Sequence, residues 1–166
     1  VSITGSATSN SDAFDVSNLT ITWLNTAFNN TPAANITDYA KADLVIDFED
    51  PAAIVYGGNF VETSTNTGSL VGSSRTATLT GDTYQDINAD DIMDLGVEYT
   101  LTNVPAGLTP VMTLSAGDTI ATLTFTGTAT THTNAVDVNN LTITFLNGSF
   151  TSTATASNVT GYTDTT

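Results

Sequence analysis

The sequence predicts an all-β protein made of antiparallel β-sandwich repeats, and three observations carry that prediction. Several short stretches alternate apolar side chains with threonine, the period-two pattern of a half-buried strand. Glycine, asparagine and proline punctuate these stretches at short intervals, and no stretch carries a sustained 3.6-residue apolar stripe with helix caps. The chain also matches itself at a fixed offset, which marks a repeat architecture.

The self-match starts where Thr4-Gly5-Ser6-Ala7-Thr8 falls on Thr126-Gly127-Thr128-Ala129-Thr130. It continues with the run from Asp15 to Asn25, which falls on the run from Asp137 to Asn147, and with Phe28 on Phe150. After one skipped residue, Asn35-Ile36-Thr37 meets Asn158-Val159-Thr160 and Tyr39 meets Tyr162. The period is about 122 residues, longer than a solenoid repeat and close to the ~100 of an immunoglobulin-type sandwich, so each repeat is expected to be a whole immunoglobulin-like domain. The first copy runs on through Ala42-Asp43-Leu44-Val45-Ile46-Asp47-Phe48, whereas Tyr162 is followed only by residues 163–166. Residues 1–50 therefore read as the closing half of one repeat and residues 51–166 as the next repeat lacking its last strand, with the seam at Asp50-Pro51. The opening Val1, in place of Met, suggests a processed or excerpted product. Completion by strand exchange between units is one expectation for such a window; covalent tandem repetition is the other, and both lead to a fibre.

In chain order, strands are expected at residues 44–48, 75–80, 119–125 and 141–145. Turns fall at Gly57-Gly58, Gly68, Gly72, Thr80-Gly81-Asp82, Pro105-Ala106-Gly107 and Ala116-Gly117-Asp118. An open sandwich leaves strand edges with unpaired N–H and C=O groups, and this chain has almost no lysine to guard them. Strand addition from a neighbouring unit satisfies such groups.

Charge narrows the partners. Seventeen acidic residues stand against Lys41 and Arg75 alone, a net charge of −15. Nucleic acid and anionic membrane surfaces are poor partners for such a chain, because both require clustered Lys and Arg. Divalent cations are the natural counter-charge. No cysteine is present, so neither a disulfide framework nor a thiolate metal site is available. Nothing approaches the ~18 consecutive apolar residues of a membrane helix.

The richest candidate site is the run Asp86-Ile87-Asn88-Ala89-Asp90-Asp91-Ile92-Met93-Asp94, with Glu98 beyond it. Calcium takes about six to eight oxygen ligands, and a D-x-N-x-D loop wraps several around one ion, so Asp86, Asn88, Asp90, Asp91 and Asp94 form a candidate calcium site. Asp91 replaces the turning glycine of an EF-hand, and Glu98 falls one position past the usual bidentate ligand. The competing reading is a solvated acidic loop. Asp12, Asp15 and Asn18, matched by Asn134, Asp137 and Asn140, precede a strand in both copies, and local turn chemistry is the expected role.

Trp23 corresponds to Phe145 and is expected in a core. His132, the only histidine, corresponds to Asn10 and lacks partners for a zinc site. Lys41 corresponds to Asp164, which argues against an isopeptide cross-link in every unit. Sequons at Asn18, Asn35 and Asn140 match the N-glycosylation pattern, as a chain this rich in threonine supplies by chance. Catalysis finds little support: there is no G-x-S-x-G elbow, and one histidine serves at most one base role. Paired acids such as Asp90 and Asp94 would suit glycoside chemistry only across a groove.

Asn103-Val104-Pro105-Ala106-Gly107-Leu108-Thr109, Thr126-Gly127-Thr128-Ala129-Thr130, Asn140-Leu141-Thr142-Ile143-Thr144-Phe145 and residues 42–48 resemble the repeats of very large acidic bacterial surface proteins, the β-strand-repeat or immunoglobulin-like adhesins. That resemblance implies surface display, tandem multiplicity, a scaffold or adhesion role and no catalytic residue. The expected function is a non-enzymatic structural repeat of an extracellular fibre, filament or adhesin stalk whose partners are copies of itself or adjacent repeats. The alternative is a cell-surface binding module for a glycan or protein, with recognition in the loops at the domain ends.

Overall fold

The computed structural model describes residues 2–8, 14–48, 50–115 and 117–165. Two compact units divide between Asp50 and Pro51. The described residues contain strands and short 3-10 turns but no α-helix, and every paired strand runs antiparallel to its neighbour.

The first unit is a hairpin of β1 (Val16–Thr22) and β2 (Ala40–Ile46). Thr22 lies opposite Ala40, Ile21 opposite Lys41 and Leu19 opposite Leu44, with two irregularities in register. Two 3-10 turns, Asn25–Ala27 and Ala33–Asn35, shape the connection. Strand β2 begins earlier than its apolar run suggests, because Ala40 and Lys41 already pair with β1. Among these residues only Ala33 is buried, and Trp23 remains 47% exposed. The core role expected for Trp23 is therefore corrected: two strands present an apolar face, but a face is buried only when a second layer packs on it.

The second unit supplies such a layer. One sheet has the order β3-β4-β8-β7-β5, from β3 (Ala53–Gly57), β4 (Arg75–Thr80), β5 (Ile92–Met93), β7 (Leu108–Leu114) and β8 (Ile120–Gly127). The other has the order β10-β9-β6, from β6 (Tyr99–Thr102), β9 (Thr142–Phe145) and β10 (Thr163–Thr165). Side chains of both sheets meet in one core, a sandwich-like arrangement. Alternation explains which ones: Ala77 and Leu79 on β4, and Ala121, Leu123 and Phe125 on β8, point inward while the intervening threonines face out. Each fully buried large apolar side chain contributes about 1.5–3 kcal/mol.

Tyr84 joins the sheets. Its ring lies 5.0 Å from that of Phe145 and 6.0 Å from that of Phe150, and its hydroxyl donates to the Ala77 carbonyl at 3.2 Å. Phe60 meets Phe125 edge to face at 4.8 Å. Strand β7, which the alternation pattern does not predict, contains Pro110 opposite Phe125. The missing N–H is tolerated because β5 covers the other side of β7 only at Met112 and Thr113, leaving Pro110 at an edge.

Candidate functional site

The acidic loop at residues 86–98 is closed by its own backbone. Asp86 Oδ1 accepts the N–H groups of Asn88 and Ala89 at 3.1 and 2.9 Å, and Asp86 Oδ2 accepts that of Asp91 at 2.7 Å. Burial works to raise the Asp86 carboxyl, but the N–H groups of Asp91, Ala89 and Asn88 together outweigh it and hold the group below the usual carboxylate range. Ala89 and Asp91 take φ values of +59° and +62°, so the turn that an EF-hand makes with glycine is made here by an aspartate. Asp90 Oδ1 accepts the Ile92 N–H at 3.0 Å. The Asn88 amide donates to Asp94 Oδ2 at 3.3 Å; turned over, it donates instead to Asp86 Oδ1 at 2.6 Å and Asp90 Oδ1 at 3.2 Å.

Glu98, read from sequence only as a distant member of this cluster, is fully buried. Its Oε1 accepts the Ile87 N–H at 2.8 Å and its Oε2 the Asp94 N–H at 2.5 Å, tying both ends of the loop to the start of β6. The Ser149 hydroxyl donates to the Glu98 carbonyl, and the Leu146 N–H reaches the same carbonyl at 2.8 Å. Among the described residues no three His, Cys, Asp or Glu side chains converge as a metal cage. The nearest approach mixes two carboxylates, Asp86 and Asp90, with the Asn88 amide. Asp91 contributes backbone geometry, and the Asp94 carboxylate faces Asn88.

A cleft of about 660 Å³ opens in the second unit beside Phe60, Leu70, Phe125 and Leu141. His132 Nδ1 lies 3.1 Å from Glu62 Oε1, within ion-pair distance but without hydrogen-bonding geometry, and Glu62 also receives the Gly68 N–H at 2.5 Å. Asn134 and Asp137 line the same cleft. Asp15, the counterpart of Asp137 in the first copy, does not make a local turn: Oδ1 accepts the Phe48 N–H at 2.9 Å, because β1 and β2 bring residues 33 apart side by side. Asp12 lies outside the described residues. Asn18 and Asn140 act through their carbonyls, which accept the hydroxyls of Thr20 and Thr142.

The duplicated hairpins are the most informative surfaces. The Trp23 N–H donates to the Tyr39 carbonyl at 2.8 Å, and the Phe145 N–H to the Tyr162 carbonyl at 2.9 Å. Asn25 Oδ1 accepts the Ala33 N–H at 2.8 Å, and Asn147 Oδ1 accepts the Ala156 N–H at 2.9 Å. Ile21 lies opposite Lys41, and Ile143 opposite Asp164. Asn25 and Asn147 were legible only as identical residues at matched places in the two copies; no turn rule singles them out. The two hairpins differ in cover. Phe145 is 1% exposed against 47% for Trp23, and Leu141, Ile143, Phe150 and Val159 are buried where Leu19, Ile21, Phe28 and Ile36 are only half-buried.

Within the second unit the hairpin is anchored to β3 and β4. The Ile54 N–H donates to the Thr160 carbonyl at 2.8 Å, and the Thr160 N–H to the Ala52 carbonyl at 2.9 Å. Arg75 Nε and Nη2 donate to Asp164 Oδ2 at 2.8 and 2.5 Å, and Nη1 to the Gly58 carbonyl at 2.9 Å. Tyr56 donates to the Gly161 carbonyl at 2.9 Å, and the Arg75 guanidinium lies 5.4 Å from its ring centroid. Burial first, then the nearby Asp164 charge, push the Tyr56 phenol above its ordinary value. In the first unit, by contrast, Lys41 pairs at the surface with Asp43 at 2.7 Å. No family model, curated protein or solved structure matches the chain.

Proposed function

We propose that this chain is a structural repeat of an extracellular fibre, filament or adhesin stalk, assembled by tandem linkage or donor-strand exchange between immunoglobulin-like units. The observation that carries this reading is the duplicated hairpin. One copy is sealed into a sandwich-like core, and the other, with the same pairing at the two positions nearest the turn and the same asparagine-to-backbone bond, leaves its apolar face open. In this reading residues 1–50 close one repeat and residues 51–166 form the next. An acidic surface with few cations keeps many such units soluble and mutually repelling. Calcium at Asp86, Asn88, Asp90, Asp91 and Asp94 belongs to the same reading as a means of stiffening the loop; of these side chains Asn88 lies beside Asp86 and Asp90, and the others would have to turn toward the ion. The protein acts without catalysis.

A second reading, a cell-surface module binding a glycan or protein, draws on the cleft beside His132, where apolar rings adjoin a few polar groups. Electron microscopy of the native material, beside denaturing mass analysis of its chain, tests both. Long fibres with a chain mass well above 17.2 kDa indicate covalent repeats, and fibres dissolving into units near that mass indicate strand exchange. Compact single particles refute the fibre and leave the binding module.

A further inference from the structure

Residues 51–132 form a body on which the β9–β10 hairpin closes, and the first unit offers a second hairpin of the same design. The two are not interchangeable at the anchor. Asp164 receives two bonds from Arg75, whereas the matched residue of the first hairpin is Lys41, which would set an ammonium against that guanidinium. Gly161 is the second point. It has φ +76°, and a Cβ there would stand 2.7 Å from the Ile54 carbonyl oxygen. The first hairpin makes this turn with Asp38, at φ +61°, and so carries the Cβ that β3 of this body has no room for. Both differences lie where the hairpin meets the body, and neither disturbs the bonds that the hairpins share.

We infer that the hairpin of residues 16–46 closes a sister body of the same kind as residues 51–132, one that carries a carboxylate in place of Arg75 and a first strand set back from Asp38. Lys41 and Asp38 mismatch this hairpin with any body that carries Arg75 and the close first strand of residues 53–57. This rests on the repeat reading above and adds its pairing rule: charge and the room for one Cβ decide which hairpin closes which body, so successive repeats engage in order. Like charges at close range, together with a backbone clash, supply the rejection, and exchange of the ion pair's polarity supplies the attraction.

The full chain tests the rule. In D38G/R75E the body carries the carboxylate and the first hairpin has lost its Cβ, so this hairpin displaces the one bearing Asp164. Amides in residues 16–23 then gain at least tenfold protection from hydrogen exchange, and the emission of Trp23, the only tryptophan, moves to the blue. The wild-type chain, R75E alone and D38G/R75E/K41D show neither change. Repeating the exchange series with W23F, where the ring matches Phe145, removes any misfit of the larger indole. If an R75E body does not stay folded, as reported by loss of protection in β8, the mirror arrangement D38G/K41D/D164K on intact Arg75 must give the same protection. Unchanged exchange at residues 16–23 in both arrangements, with β8 protected, overturns docking on such a body. A gain in R75E alone or in D38G/R75E/K41D equal to that in D38G/R75E overturns the pairing rule. Fibres in native material would still uphold the repeat reading after either failure.

Discussion

Phe145 and Trp23 occupy matched places in the two hairpins, and truncating each to alanine separates burial from local sequence. Phe145 is 1% exposed, with its ring 5.0 Å from Tyr84 and 6.1 Å from Phe150. Removing a buried phenylalanine costs about 3–5 kcal/mol, the cavity included. That is a large share of the roughly 5–15 kcal/mol total of a typical domain. For a unit of residues 51–166, at about 3–6 °C per kcal/mol, F145A lowers the melting temperature by roughly 10–30 °C. F145L retains most of the volume and costs only about 1–2 kcal/mol, which keeps the comparison measurable if F145A does not fold. Trp23, 47% exposed, leaves no closed cavity, and W23A shifts the melting of the second unit by no more than about 0.5 kcal/mol. The assay is calorimetry with far-ultraviolet circular dichroism, because the only tryptophan lies outside the second unit. Equal losses from W23A and F145A would refute the assignment of the core.

Glu98→Gln places an amide donor against the N–H of Asp94 or Ile87, so it destabilises the second unit by about 1–3 kcal/mol and speeds exchange across residues 87–94; unchanged exchange there counts against the clamp. Asp82 ties residues 81–83 to the Ser152 and Thr153 N–H groups. Burial works to raise its carboxyl, but bonds from Thr153, Thr83 and Ser152 together hold it low. A depressed folded-state value means that its contribution is complete above the ordinary carboxylate range near ~3.9 and is lost as pH falls through the folded value. D82N should therefore flatten stability against pH below about 4, and an unaltered acid limb would contradict the assignment. Calcium at ten times its dissociation constant stabilises by about 1.4 kcal/mol if the Asp86 loop holds it; a melting temperature indifferent to both calcium and chelator removes the ion from the account.

The strands at residues 75–80 and 120–127 were legible because alternation of threonine with apolar residues is a local property of the pleat. Strand β7 was not, because Pro110 interrupts the pattern, and its tolerance depends on how far β5 extends beside it. Asp86 and its neighbours were legible as an oxygen-rich loop, whereas the role of Glu98 depends on its burial and on two particular N–H groups. The anchor between Arg75 and Asp164 joins residues 89 apart in sequence and follows no local pattern.

What the amino-acid order determined alone was the all-β character, the acidic and cation-poor composition and the duplication of one stretch of about forty residues, since each depends on residue type and spacing. Only the tertiary structure decided which copy is buried. Trp23 and Phe145 sit in almost the same sequence, yet their exposure differs because burial belongs to a pair of layers: the second unit gives Phe145 an opposing sheet, while the first unit, taken by itself, is a single two-stranded sheet.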